Sequence, residues 1–339
     1  MPEIIELDKR EIKRISVVCP FYNEAAIIEN ASSAMIANLE KSGLDWELIL
    51  VNDGSTDNSL QILSNLIGDH KGVKILTYEV NQGRGYALKT GISYAEGDII
   101  ITMEIDLSWG EDIVTRIIAK FKEMPKLDVV IASPNIEGGG YKNVPLRRVL
   151  LSRIGNQLIR LLFTKKITMN TGMTRGYRKN IIRGLNTFEK GKEFHLEVLL
   201  KLFFLVANIS EIPAVLTWQT DKLLKNTNFK RKPSLSFFKF SLSHINFLVF
   251  ARPIRYFWFI CLLFAFGSFI SLLYGIYLLL IGRVSIYMAI VSLLFAIFAL
   301  LFFSFGVISE QNINILKELW KKPGDRSPLP FCSGQAKTL

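Results

Sequence analysis

The 339-residue chain is predicted to be an α/β protein, with a mixed, mainly parallel sheet, helices on both faces, and a C-terminal two-helix transmembrane hairpin. Three observations predict this. From residue 15 onward, short apolar runs alternate with amphipathic stretches, the pattern of successive strand and helix units packed into a parallel sheet. The run over residues 99–108 is nearly unbroken, as in a strand buried on both faces, and it ends in two carboxylates one residue apart, Glu104 and Asp106. Two later stretches, 256–281 and 285–309, contain no charged residue, and each is long enough to cross a bilayer of ~30 Å.

In chain order, residues 15–19 are the first expected strand, stopped by Pro20, and a helical pattern then runs to about Lys41. Residues 46–51 form the second strand. The turn after it, Asn52-Asp53-Gly54-Ser55-Thr56-Asp57, is dense in capping residues ahead of a helix over 58–66. Residues 73–78 are the third strand. They lead into Asn81-Gln82-Gly83-Arg84-Gly85, whose glycines allow close approach to a ligand, and then a helix to about Ala95. The central strand, a helix over 111–122 and a fifth strand over 128–132 complete the alternation.

Composition removes several function classes. The three cysteines, Cys19, Cys261 and Cys332, have neither ligand nor disulfide spacing and read as free thiols in a reducing compartment. The formal charge of +11 is compatible with nucleic acid, but much of it flanks the apolar stretches, where anionic lipid accounts for it. No zinc-finger, homeodomain or RNA-recognition signature is present, so nucleic acid is not an expected partner. Gly83-x-Gly85 lacks the third glycine of a dinucleotide fingerprint and follows the third strand, not the first. There is no phosphate-loop Gly-Lys-Ser/Thr, and only His70, His195 and His244 are available, which argues against a zinc hydrolase. Residues 1–14 are charged and lack the apolar core of a signal peptide, so the first domain is expected not to be exported.

Carboxylates at the C-terminal end of a buried strand face the crevice where open α/β sheets bind ligands. Glu104, Asp106 and the Ser108 hydroxyl together supply hard oxygen ligands suited to Mg²⁺ or Mn²⁺. The competing reading is that Asp106-Leu107-Ser108 only caps the helix that follows.

Four motifs occur in a fixed order: Pro20-Phe21-Tyr22-Asn23-Glu24, Val51-Asn52-Asp53-Gly54-Ser55-Thr56-Asp57, Asn81-Gln82-Gly83-Arg84-Gly85-Tyr86-Ala87 and Met103-Glu104-Ile105-Asp106-Leu107-Ser108. This set resembles the family 2 glycosyltransferases of the GT-A fold, and within them the dolichol-phosphate mannose synthases and polyprenyl-phosphate glucosyltransferases. The resemblance covers residues 15–213. It implies that Tyr22 and Asp53 hold the nucleotide base, that Pro20 and Glu24 shape its pocket, and that the Gly83 to Gly85 loop lies close to the donor. It assigns Glu104, Asp106 and Ser108 to the metal, and Arg148 and Ser152 to the acceptor phosphate. Arg175-Gly176-Tyr177-Arg178, Gly191-Lys192-Glu193-Phe194 and Glu211-Ile212-Pro213 are also similar to its pattern. Several positions depart from it. Glu104 stands where Asp is usual, Pro134 and Gln219 where arginines are common, and Met169 where an Asp is frequent. Lys222, Lys225, Lys230, Arg231 and Lys232 offer replacement charge, but as points and not as bidentate forks.

The expected organisation is a catalytic domain over 1–232, an interfacial helix over 233–254, the hairpin over 255–310 and a disordered cytosolic tail over 311–339. Arg252 and Arg255 precede the first span and Lys317, Lys321 and Lys322 follow the second, against Arg283 alone at the tip. Both termini and the catalytic domain are therefore expected in the cytosol. The implied reaction is inverting transfer of a hexose from GDP-mannose or UDP-glucose to a polyprenyl phosphate in the bilayer. A different membrane lipid or lipid-linked glycan as acceptor, a catalytically silent scaffold of the same fold, and a homo-oligomer formed through the hairpin stay open.

Overall fold

The computed structural model describes residues 11–68, 70–146, 149, 150, 156, 167–217, 253–320, 337 and 338. The chain divides into two compact units, Met1–Lys232 with Pro323–Leu339, and Pro233–Lys322. In the first, strands β1 (Arg14–Phe21), β2 (Asp45–Asp53), β3 (Val73–Tyr78) and β4 (Ile99–Thr102) alternate with helices α1 (Ile28–Glu40), α2 (Ser59–Ile67) and α3 (Arg84–Tyr94). Then come α4 (Ile113–Glu123), β5 (Val129–Ser133), β6 (Gly140–Lys142), β7 (Arg175–Arg178), α5 (Lys179–Arg183), α6 (Phe194–Phe204), β8 (Ile209–Pro213) and β9 (Val215–Thr217). A two-residue strand, β10 (Lys337–Thr338), lies antiparallel on β3, and the main sheet has the order β10-β3-β2-β1-β4-β7-β5-β8. β6 and β9 form a separate parallel pair.

Strands β3, β2, β1 and β4 are mutually parallel, as apolar runs without alternation require, and their side chains from Val17 to Cys19, Leu48 to Val51 and Ile99 to Ile101 are buried. β7 enters antiparallel between β4 and β5, which makes the sheet mixed. Gly176 is required there, because a Cβ would lie 2.5 Å from Ile117 Cγ2 and 2.8 Å from Phe121 Cε2. Helix α4 thus packs its apolar stripe, Ile113, Ile117 and Phe121, directly against the backbone of β7.

Two strand ends differ from the sequence expectation. β1 continues through Pro20, which pairs with Val51 of β2. The Val18 carbonyl accepts from Met103 N–H, so this face of β1 looks toward β4, and the β4 ladder has ended before Pro20 is reached. Its missing N–H therefore costs no ladder bond. β4 stops at Thr102, well short of Ser108: after the Met103 N–H bond to Val18 O the chain turns at residues 105–106, and Leu107 follows with a left-handed φ of 53°.

At the opposite edge of the sheet, Glu47 is 1% exposed and accepts hydrogen bonds from Ser16 Oγ (2.5 Å), Glu96 N–H (2.5 Å) and Lys74 Nζ (2.9 Å). Burial pushes its carboxyl up, but these donors outweigh burial and hold it below the usual carboxylate range. A depressed folded-state pKa contributes stability at neutral pH that is lost as pH falls through the folded value. Glu47→Gln is expected to lower stability by about 1–3 kcal/mol at pH 7 and to flatten the acid limb, read as thermal midpoints in detergent between pH 7 and pH 3.

In the second unit, α7 (Pro253–Leu280) and α8 (Ile286–Trp320) pack as an antiparallel pair. Tyr256–Leu280 and Ile286–Leu316 are long and apolar enough to cross a membrane. Ser268 Oγ donates to Ser292 O (2.9 Å) and Ser292 Oγ to Ser268 O (3.1 Å), while Phe264 stacks on Phe302 with ring centroids 5.5 Å apart. α8 runs past the expected end at Ser309, since no Pro or Gly interrupts it between Gly306 and Pro323. The expected disordered tail therefore begins as helix, and its residues 337 and 338 pair with β3. The rest of that tail, and residues 233–252 of the expected interfacial helix, lie outside the described residues.

Candidate active site

The C-terminal ends of β1, β2, β3 and β4 deliver four loops to one edge of the sheet. The loop after β1 holds Tyr22, whose side chain is 43% exposed, and Asn23, which has a left-handed φ of 54°. Asn23 is fixed from the loop after β2: its N–H donates to Ser55 Oγ (3.0 Å) and its Oδ1 accepts from Thr56 N–H (2.8 Å). Glu24 N–H donates to Ser59 Oγ (2.9 Å) and Ala25 N–H to Asp57 Oδ2 (3.1 Å). The residues expected to cap α2 do both jobs: Asp57 Oδ1 accepts from Ser59 N–H (3.0 Å) at the first residue of the helix, while Ser55, Thr56 and Asp57 also tie the two loops together; Asn58 makes no side-chain cap bond.

Asp53 is 4% exposed, and its Oδ1 accepts from Tyr78 OH (2.7 Å) and Gln82 N–H (2.9 Å), while Gly83 N–H reaches Oδ2 at 3.1 Å. Its carboxylate thus anchors the glycine loop. The two glycines are required by contacts within the protein. Gly83, at φ 97°, would place a Cβ 2.7 Å from Lys190 O, and a Cβ on Gly85 would lie 2.7 Å from Gly191 O. Tyr86 N–H donates to Lys190 O (3.0 Å), so the segment before α6 is the wall on which the loop rests.

After β4, Glu104 and Asp106 stand at the mouth of the sheet, both partly exposed. Glu104 Oε2 accepts from Thr174 Oγ1 (2.7 Å) and Trp109 Nε1 (3.1 Å). Burial raises its carboxyl above the usual range, opposed by the Thr174 bond and the Arg84 guanidinium. Asp106 Oδ1 accepts from Ser108 N–H (3.1 Å), and Ser108 O accepts from Thr217 N–H (2.7 Å), which pins the loop to β9. Cys19 is buried beneath these groups, its thiol pushed up first by burial and then by the charges of Glu104, Asp106 and Glu24. Helix α4 starts at Ile113 with no side-chain cap, so Asp106 and Ser108 are not its cap.

Among the described residues, no three His, Cys, Asp or Glu side chains are grouped to enclose a cation. The donor set is two carboxylates and a hydroxyl, with one oxygen of Glu104 already committed. This fits a hard cation that keeps waters and takes its remaining ligands from phosphate.

The structure brings together Pro20, Tyr22, Glu24, Asp53, Gly83, Gly85, Glu104, Asp106 and Ser108. Arg148, Ser152, Gln219 and the basic residues from Lys222 to Lys232 lie outside the described residues. Pro134 is buried, and Met169 is 6% exposed, with the Asn156 amide 4.0 Å from its sulfur. Arg178, in the Arg175-Gly176-Tyr177-Arg178 motif similar to the family pattern, is buried on β7 and donates to Leu127 O and Pro125 O. Sequence reasoning missed Thr174 and Trp109, whose only signal is their tertiary contact with Glu104.

The family model for glycosyl transferase family 2 matches residues 16–185. An undecaprenyl-phosphate 4-deoxy-4-formamido-L-arabinose transferase of Pectobacterium atrosepticum is 31% identical over 180 residues, 52% of each chain. The protein of that name in Salmonella paratyphi A is 31% identical over 209 residues, 61% of this chain and 60% of the relative. The chain thus spans about half to three-fifths of the length of these curated relatives. The crystal structure of glucosyl-3-phosphoglycerate synthase from Mycobacterium tuberculosis in complex with uridine diphosphate superposes with a TM-score of 0.50 at 18% identity. The match covers 70% of this chain and 80% of that one, a likeness of fold.

Proposed function

The chain belongs to glycosyl transferase family 2, and from that premise we propose that it moves a sugar from a nucleotide-sugar to a polyprenyl phosphate at the cytosolic face of a membrane, with inversion at the anomeric carbon. The observation that carries this reading is the convergence of Tyr22, the glycine loop anchored by Asp53, and Glu104 with Asp106 at one end of the sheet. The polyprenyl acceptor is supported by the names of the relatives and by two helices able to cross a membrane in the same chain.

In this reading the exposed ring of Tyr22 stacks on the base, and Asp53 acts on the donor indirectly by holding the glycine loop. Asp106 and Glu104, with Ser108, would hold Mg²⁺ or Mn²⁺, and such an ion would supply positive charge to offset that of the departing diphosphate. The acceptor phosphate is already anionic at neutral pH, its second pKa being ~6, so it needs positioning more than a base. Arg148 and Ser152 supply that positioning. The bond from the anomeric carbon to acceptor oxygen forms as the bond to the diphosphate oxygen breaks, and the nucleoside diphosphate leaves with the electron pair. Cationic residues at both outer ends of the two spans favour a cytosolic catalytic domain.

The test is transfer by the purified full chain in detergent, from UDP-glucose, GDP-mannose and a UDP-activated formamidopentose to undecaprenyl and dolichyl phosphates, with Mg²⁺, Mn²⁺ or EDTA. Transfer with inverted anomeric configuration, lost in EDTA, is expected from one donor. Nucleotide-sugar binding without transfer to either lipid would overturn the acceptor, and no nucleotide-sugar binding would overturn the enzyme.

A further inference from the structure

Arg175 is fully buried on β7, yet among the described residues it forms no ion pair, and its Nε has no hydrogen-bond partner. Its two terminal nitrogens donate to carbonyls on separate segments: Nη2 to Asn170 O (2.6 Å) and Nη1 to His195 O (3.1 Å). Asn170 lies in the turn that runs to Thr174, whose hydroxyl holds Glu104. The turn is fixed at its other end by Glu211, which accepts from Thr168 N–H (3.0 Å) and Met169 N–H (2.8 Å). His195 is at the start of α6, directly after the Lys190–Gly191 wall that the glycine loop rests on. One guanidinium therefore bridges the segment that holds the acidic loop and the segment that supports the glycine loop.

A charge buried without a counter-ion is costly, and an apolar side chain of similar volume generally packs as well or better. A flexible ammonium would reach one carbonyl, whereas a planar fork reaches two in a set geometry. We infer that Arg175 is a positioning residue that sets the separation between the donor loop and the acidic loop. This inference rests on the transferase reading for the meaning of the two loops, but the bridge itself can be tested without turnover.

The experiment uses the full chain in detergent as wild type, Arg175→Met and Arg175→Lys. Hydrogen exchange is followed in peptides covering residues 83–88 and 168–175, with peptides from β1 and β2 as the internal reference. In Arg175→Met, exchange is expected to rise about tenfold in both loop peptides while β1 and β2 stay protected. In the transfer assay, kcat is expected to fall about 10²-fold with little change in acceptor KM, and Arg175→Lys to recover part of the loss. Unchanged exchange in both loops, or an equal rise in β1 and β2, would overturn the inference. So would a wild-type kcat in Arg175→Met. A wild type that transfers no sugar counts against the transferase reading alone, and the exchange outcome then decides Arg175.

Discussion

Asp106→Ala is expected to lower kcat about 10²–10³-fold while the protein remains folded. Asp106 is partly exposed at the mouth of the sheet, on a loop fixed independently by Thr217 N–H at Ser108 O and by the left-handed turn at Leu107. The substitution removes the acceptor for Ser108 N–H, a bond worth about 0.5–1.5 kcal/mol, and the loop keeps its anchor at Thr217, so thermal unfolding should shift little. Glu104 provides the contrast. Its Oε2 is held by Thr174 and Trp109, and an amide oxygen can accept from the same two donors. Glu104→Gln should therefore cost much less than Asp106→Ala. Single-turnover rates measured alongside donor affinity would check both, and an Asp106→Ala variant with near-wild-type turnover would remove the acidic loop from the chemistry.

Gly85→Ala carries the second large effect. The added Cβ would meet Gly191 O at 2.7 Å, Lys190 C at 2.8 Å and Phe194 Cβ at 2.8 Å, and two of these are backbone atoms that cannot rotate away. Relief requires the start of α3 or the 190–191 wall to move, at a cost of about 1–3 kcal/mol. The displaced loop is the one Asp53 anchors, so donor affinity should fall about tenfold or more, with the loss concentrated in donor KM. Gly43 is the control, since a Cβ there meets nothing within 4 Å, and Gly43→Asn suits its φ of 67°. Isothermal titration with nucleotide-sugar and thermal midpoints for the two variants separate local strain from loss of the site.

Much of this was legible in the sequence wherever burial writes a pattern. The third strand, 73–78, coincides with β3, and the two carboxylates do emerge from the C-terminal end of β4. What stayed hidden depends on partners distant in the chain. Asp53 at a strand end gives no local sign that its carboxylate accepts from residues 25 to 30 positions later. Gly83 and Gly85 are required by the atoms of residues 190 and 191, a contact across more than a hundred positions that no local pattern signals. Pro20 looks like a stop, and is tolerated only because β4 has already ended beside it. Arg175 and Arg178 are charged residues on an interior strand, a placement that no local periodicity signals.

The antiparallel insertion of β7 also orders the assembly of the sheet in time. Among the described strands, β5 and β8 join the β1–β4 part of the sheet only through β7, although 41 residues separate Ser133 from Arg175. During synthesis, β1 to β4 can pair as soon as they emerge, while β5 waits with both of its edges open. Such non-local closure is slow, and it leaves an apolar strand available to the wrong partner until Arg175–Arg178 arrives. The same four residues therefore join the two halves of the sheet and close both open edges between them.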